Sequence, residues 1–229
     1  MSVKARTPWL PWLARCLLPA RCLLCREPGD RGRDLCAACL GGLPWALPPS
    51  PGGARPAGAG AGAVVPGPAS AQACAALLYL PPVDHLLRRF KFHGDLAAGA
   101  LLAALMADAL APADRPQALV PVPLHRARLR QRGYDQALEL ARPLSASLGV
   151  PLQARLLRRV RATAPQSELG AAERQRNVRG AFAAGPTPLR HVALVDDVMT
   201  TGATLQAAAR GLHLAGVVRV DFWVCARVP

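Results

Sequence analysis

Lysine is almost missing from this chain. Lys4 and Lys91 are the only two, and the other 26 of its 28 basic residues are arginine. Aromatics are scarce too, at 4%, which argues against a surface built to stack many nucleic-acid bases. No apolar run is long enough to span a bilayer: the longest, Leu96 to Ala107, stops at Asp108 and reads as a buried helix. Lys4 and Arg6 precede only a short apolar patch, Trp9–Leu13, far below the core of a secretory signal. Together these two absences lead to the expectation of a cytoplasmic protein with no membrane span. No Gly-Lys-Ser/Thr ending occurs, which excludes a Walker A loop. No internal repeat is apparent.

What is abundant is positive charge and cysteine. The 229 residues carry a formal charge of +14, with room for one ordinary domain plus a small appendage. Such a field favours anionic partners: nucleotides, pyrophosphate or nucleic acid. A GC-rich coding bias would produce the same arginine skew, so charge alone is modest evidence. Four of the seven cysteines form Cys22-x2-Cys25 and Cys36-x2-Cys39, with ten residues between the pairs. In a reducing compartment, paired knuckles of this kind argue for metal rather than disulfides. Four thiolates close a tetrahedral structural zinc site, and metal binding would supply the folding energy of so short a segment. A redox dithiol or chance clustering are the alternatives, and Cys16 is an alternative ligand. Cys74 and Cys225 read as ordinary buried cysteines. The expected organisation is a zinc-ribbon segment over 1–45, a Pro/Gly/Ala-rich linker over 46–72 and a larger domain over 73–229.

In that larger domain short apolar strands alternate with helix-like stretches, the pattern of an α/β fold with a parallel sheet. Strands are expected at 75–80, 118–122, near 152–158, at 192–195 and at 217–224. Helices are expected near 83–90, at 95–110, over roughly 135–148 and at 203–214. The most telling stretch is HVALVDDVMTTGATL, from His191 to Leu205. An apolar strand leads into Asp196 and Asp197, then a loop of Val198, Met199, Thr200, Thr201, Gly202, Ala203 and Thr204 opens a helix. Unpaired amides and the positive end of the dipole at a helix start attract phosphate. The threonine hydroxyls add donors, Gly202 permits close approach or positive φ, and the carboxylates accept from ribose hydroxyls. Together they make a site for a phosphorylated sugar. The glycines of a dinucleotide fingerprint are absent, and a plain acidic cap would not need two acids and three threonines.

Other segments could complete such a site. VPVP at Val120–Pro123 falls at the carboxyl end of a strand, where open α/β sheets bind ligands, and places Val122 and Pro123 in a rigid loop. Arg126, Arg128, Arg130 and Arg132 follow, able to stabilise an anionic leaving group or simply to form a solvated face. Upstream stand Arg88, Arg89 and Lys91. His93 and His125 read as structural or solvent-facing. The long connection after Arg158 carries Arg161, Gln166, Arg174, Arg176, Asn177 and Arg179, and is expected to be a basic lid, the alternative being an exposed helical insert that merely carries charge.

His191–Leu205 resembles the phosphoribosyl-pyrophosphate (PRPP) loop of type I phosphoribosyltransferases. The cysteine knuckles, VPVP…RGYDQ, Thr163-x2-Gln166-x2-Leu169 with Asn177, Gly180 and Phe182, and VDDVMTTGATL occur in one order. In that order the chain resembles the ComF family of competence-associated proteins. Asp135 stands where the family's usual Arg-Gly-Phe-Asn-Gln has asparagine. The resemblance implies a type I phosphoribosyltransferase-like α/β domain joined to an amino-terminal zinc ribbon. It implies PRPP, brought with Mg²⁺, as ligand. Asp196 and Asp197 would hold the ribose hydroxyls and Thr200, Thr201, Gly202, Ala203 and Thr204 the 5′-phosphate, with Val198 and Met199 between them shaping the pocket. Lys91, Val122, Pro123, Arg132 and Arg176 would hold the pyrophosphate, and Cys22, Cys25, Cys36 and Cys39 the Zn²⁺. For some members it also implies a role in DNA uptake. Single-stranded DNA and DNA-uptake proteins are therefore candidate partners, and a non-catalytic zinc-ribbon DNA adaptor is the second reading. A docking module for uptake proteins is the third.

Overall fold

The computed structural model describes residues 20–46, 72–111, 113–161, 178 and 180–229. Thr163, Gln166, Leu169, Arg174, Arg176, Asn177 and Arg179 lie outside the described residues, as do Cys16 and most of the expected linker. The chain divides into two compact units, one ending at Leu43 and the other starting at Pro44.

In the first unit, turns carry the fold. Cys22 N donates to Glu27 O at 2.8 Å and Leu23 N to Asp34 O at 2.9 Å. A five-residue helix, α1 (Ala37–Gly41), is capped by Cys36, whose Sγ accepts from Cys39 N at 3.5 Å. Its buried apolar residues among those described are only Cys22, Leu35 and Leu43.

The second unit runs β1 (Ala73–Leu78), α2 (Val83–His93), α3 (Leu96–Leu110), β2 (Ala118–Pro121), α4 (Arg126–Arg132), α5 (Gln136–Leu148), β3 (Leu157–Arg159), β4 (Phe182–Ala184), β5 (His191–Met199), α6 (Ala203–Leu214) and β6 (Arg219–Arg227). Four strands form one sheet in the order β1-β6-β5-β2, and every pairing in it is parallel. A parallel sheet covered by helices demands continuous apolar strands, and Val192–Val195 are wholly buried. Val192 and Leu194 share a core with Leu205, Ala208 and Leu212 of α6. The helices α3 and α5 also contact the sheet but contribute nothing to that core, so they cover the opposite face. Helix α3 packs closely on α2, because a Cβ at Gly99 would stand 2.5 Å from the Phe90 ring.

The α/β class and the parallel sheet agree with the sequence reading, and several details differ. The expected strand near 152–158 divides. Leu152 makes only a parallel bridge to Leu119, while Leu157–Arg159 pairs antiparallel with β4 in a separate ribbon. Strand β5 does not stop before the acidic pair: its pairing with β6 continues to Met199↔Arg227, so Asp196 and Asp197 are strand residues. Pro44–Ala46 attach to the edge of β1, with Ala46 N donating to Ala76 O at 3.0 Å. No helix among the described residues is long and apolar enough to cross a membrane.

Candidate functional site

At the carboxyl end of the parallel strands lies a cleft of about 160 Å³. It is lined by residues of the 122–124 loop, α2, α4, α5, β3, β5 and the start of α6. Each element supplies a defined side chain. Strand β5 brings Asp196 and Asp197, together with Val198. Met199, expected to shape the pocket, instead joins the core beneath. At the next turn Gly202 has φ 72° and stands as the N-cap of the twelve-residue helix α6, to which it brings no side-chain hydrogen bond. Thr204 lines the cleft, while Thr200 and Thr201 are exposed.

The opposite charge comes from several places. Helix α2 delivers Lys91, whose Nζ lies 3.0 Å from Asp197 Oδ2. Burial pushes the Lys91 ammonium down, but Asp197 and then Asp196 more than offset this and hold it above its ordinary value. Helix α4, absent from the expected helices, decides which arginines matter. It is capped by His125, whose Nδ1 accepts from Ala127 N at 3.3 Å, and ends at Gly133. Residues four apart share a helix face, so Arg128 and Arg132 enter the cleft while Arg126 and Arg130 stay exposed. Arg89 is occupied elsewhere, paired with Asp95 at 2.6 Å. His93 is exposed.

Asp135 acquires a role from the structure. Its Oδ1 accepts from Leu138 N at 3.1 Å, capping α5, and its Oδ2 accepts from Leu124 N at 3.0 Å, fixing the loop after β2. Two carboxylate oxygens meet two amides here, which a carboxamide could not match with its NH₂ group. Burial pushes the Asp135 carboxyl up; the amides pull the other way, and Asp197 adds to the rise. Asp196 is perturbed further, to about 8, by burial first and by adjacent Asp197 second. Two close carboxylates in a confined site resist ionising together.

Arg159 and Gln136 line the same cleft; sequence reading gave neither a site role, although Gln136 closes the RGYDQ motif. Arg159 sits across the β3–β4 ribbon from Phe182, its guanidinium 5.3 Å from the ring centroid. Gln136 was thus within reach of a motif signal, whereas Arg159 stands in arginine-rich sequence that marks no single residue.

In the first unit, one sulfur from each of Cys22, Cys25, Cys36 and Cys39 lies within 4.8 Å of the others, with Cys25 and Cys36 3.6 Å apart. Four thiolates about 2.3 Å from a tetrahedral zinc stand about 3.8 Å from one another, so donor set and spacing fit that ion. Without a cation the sulfurs do not ionise alike: the Cys36 thiol, then burial, push Cys39 up to about 12, whereas at Cys22 burial is outweighed by the backbone amides of Cys25 and Cys36, which bring it down to about 6. Cys74 and Cys225 are buried.

The double zinc ribbon domain family matches residues 13–76. "Competence protein F" of Haemophilus influenzae is 38% identical over 159 residues, 65% of this chain and 69% of that protein. "DNA utilization protein YhgH" of Salmonella typhimurium is 33% identical over 232 residues, 96% of this chain and 97% of that protein. "Competence protein ComFC" of Bacillus subtilis is 34% identical over 139 residues, 58% of this chain and 55% of that protein. Identity along essentially the whole of one relative and most of another, with a zinc-ribbon segment before a parallel α/β unit, makes this chain a member of the ComF family.

Proposed function

We propose that this chain is a cytoplasmic, PRPP-binding protein of DNA uptake or DNA utilization, built as a phosphoribosyltransferase-like domain of residues 73–229. A zinc-ribbon segment over 1–45 and a linker over 46–72 precede it. The observation that carries the reading is the pairing of Asp196 and Asp197 with the Gly202-led start of α6, in a cleft that also holds Lys91, Arg128 and Arg132. A phosphorylated ribose needs carboxylates for its hydroxyls and amides for its phosphate, side by side. In this reading Asp196 and Asp197 hold the ribose, and residues 200–204 surround the 5′-phosphate through the α6 amides and the Thr204 hydroxyl, with Val198 lining the cleft between them and Met199 in the core below. Lys91, Val122, Pro123 and Arg132 meet the pyrophosphate, with Arg176 joining them from the connection after β3. Cys22, Cys25, Cys36 and Cys39 hold structural zinc.

Transfer would break the bond from C1′ to the pyrophosphate oxygen while an acceptor attacks C1′. Bound with the ligand, Mg²⁺ supplies charge neutralisation at the pyrophosphate. Arg128 and Arg132 orient the leaving group and stabilise its growing charge, and the Asp196–Asp197 pair lies where positive charge develops on the sugar. Positioning and electrostatics, rather than a general base, would account for catalysis. The experiment is calorimetric titration of zinc-loaded protein with PRPP and Mg²⁺, beside an Asp196→Ala, Asp197→Ala variant. Binding by the intact chain and its loss in the variant is the expected result; no binding by the intact chain sinks the reading.

The second reading is a DNA adaptor whose cleft does no chemistry. The names of the relatives, competence and DNA utilization, favour it, as does the charge of +14. Single-stranded DNA affinity that falls steeply with salt, in a chain that ignores PRPP, would select it.

A further inference from the structure

Helix α2 ends with one carbonyl that its own backbone does not claim. Gly94, in the left-handed region at φ 65°, directs its amide to Arg89 O, and Asp95 N donates to the same oxygen at 3.3 Å. The Phe90 carbonyl, which the residue 94 amide would reach in an uninterrupted helix, is passed over. Its donor comes from 44 residues along the chain: the Tyr134 hydroxyl donates to Phe90 O. The two rings meet as well, with centroids 5.7 Å apart.

The next residue on each side carries this contact into the cleft. Lys91 follows Phe90, and its Nζ lies 3.0 Å from Asp197 Oδ2. Asp135 follows Tyr134 and accepts from Leu124 N and Leu138 N. One turn thus fastens three walls of the cleft: α2, the loop after β2, and α5. A lysine side chain is a long flexible stem, so its ammonium stays at one carboxylate only where the backbone beneath it is fixed. The groups facing that ammonium are Asp197 and Asp196 from β5, which attract it, Arg132 from α4, which repels it, and the Cys225 thiol from β6. Against the downward push of burial, the two carboxylates hold Lys91 above its ordinary value.

We propose that Tyr134 is a positioning residue: by capping the open end of α2 at Phe90 O, its hydroxyl holds the Lys91 ammonium on Asp197. Without that bond the last turn of α2 frays, Lys91 leaves the acidic pair, and Asp197 loses its counter-ion. The placement of Lys91 is a property of the chain with its cleft empty. Its consequence for a ligand rests on the phosphoribosyl reading above, in which Lys91 meets the pyrophosphate.

The scarcity of lysine makes the test direct, since Lys4 is the only other one. The zinc-loaded full chain is acetylated with an amine-reactive ester across a pH series, and the modification of Lys91 is read by mass spectrometry. Tyr134→Phe is compared with it, a change that keeps the ring and removes only the hydroxyl. Leu212→Ala serves as a control, because Leu212 lies in a core to which no residue of α2 contributes. Only the neutral amine reacts, so an ammonium released from Asp197 should react at lower pH. Half a pKa unit gives about threefold faster labelling of Lys91 in Tyr134→Phe, with Lys4 unchanged. Leu212→Ala should lower the melting temperature and leave the Lys91 profile in place. An unmoved Lys91 profile in Tyr134→Phe overturns the proposal, as does an equal shift in Leu212→Ala, which would mark a merely structural effect. PRPP with Mg²⁺ is titrated into the same proteins. Weaker binding by Tyr134→Phe supports the placement, whereas an intact chain that ignores PRPP while the profile shifts removes the phosphoribosyl reading and leaves Tyr134 in its role.

Discussion

The two units of this protein are held together by different physics. The first has three buried apolar residues among those described and four sulfurs gathered within 4.8 Å; the second has four parallel strands whose central segments are wholly buried. A segment of a few tens of residues cannot bury enough surface to offset chain entropy, so a metal must stand in for a core. The larger unit needs no such help, and it can place charged groups in a cleft because its sheet is already stable. One unit is organised by its site, the other organises a site.

Metal removal should break that contrast most strongly. Structural zinc in small modules contributes about 10–16 kcal/mol of apparent folding energy. Cys25→Ser, or chelation, should therefore abolish stoichiometric zinc by elemental analysis and collapse the amide dispersion of residues 20–43. The melting transition of the α/β unit should stay in place. Its converse is Trp223→Ala in β6, where the side chain is 1% exposed. That truncation should destabilise the α/β unit by about 3–5 kcal/mol in denaturant unfolding and leave zinc content unchanged. A shared loss in either experiment would show that the units fold as one.

Smaller effects sharpen the picture within the cleft. Because burial and Asp197 raise Asp196 to about 8, the folded chain holds that proton more tightly than the unfolded chain does. Asp196 therefore costs no stability below the ordinary carboxylate value near 4, and a growing amount as pH rises to 8, complete above it. Asp196→Asn should leave the melting temperature unchanged at pH 4 and raise it at pH 9. An equal change at both pH values would contradict that origin. Smallest of all, Asp135→Asn keeps one amide contact and loses the other, to Leu124 or Leu138. About 1 kcal/mol of destabilisation is expected from thermal unfolding, a typical value for one cap-type hydrogen bond.

Legibility in the sequence followed the range of each interaction. The alternating strands and helices, the Cys-x2-Cys pairs and the acid–acid–Thr–Gly run are local patterns, and the structure contains the sheet, the sulfur cluster and the glycine-led helix start they pointed to. The short helix α4 was not legible, since seven residues rich in arginine carry no apolar period. Without its helical phase, Arg128 and Arg132 could not be separated from Arg126 and Arg130. Strand β5 also ran further than its apolar stretch suggested, because pairing with β6 outweighs the cost of two carboxylates at its end.

By itself, then, the sequence determined the fold class, the cysteine donor set and the identity of the acidic pair, all of which depend on residues close along the chain. Tertiary structure alone decided that Lys91 meets Asp197, more than a hundred residues away, that Asp135 ties a loop to a helix, and that Gln136 and Arg159 enter the cleft. The physical reason is that charge and burial act through space. Which carboxylate is paired, raised or left facing a ligand is set by neighbours that only folding brings near.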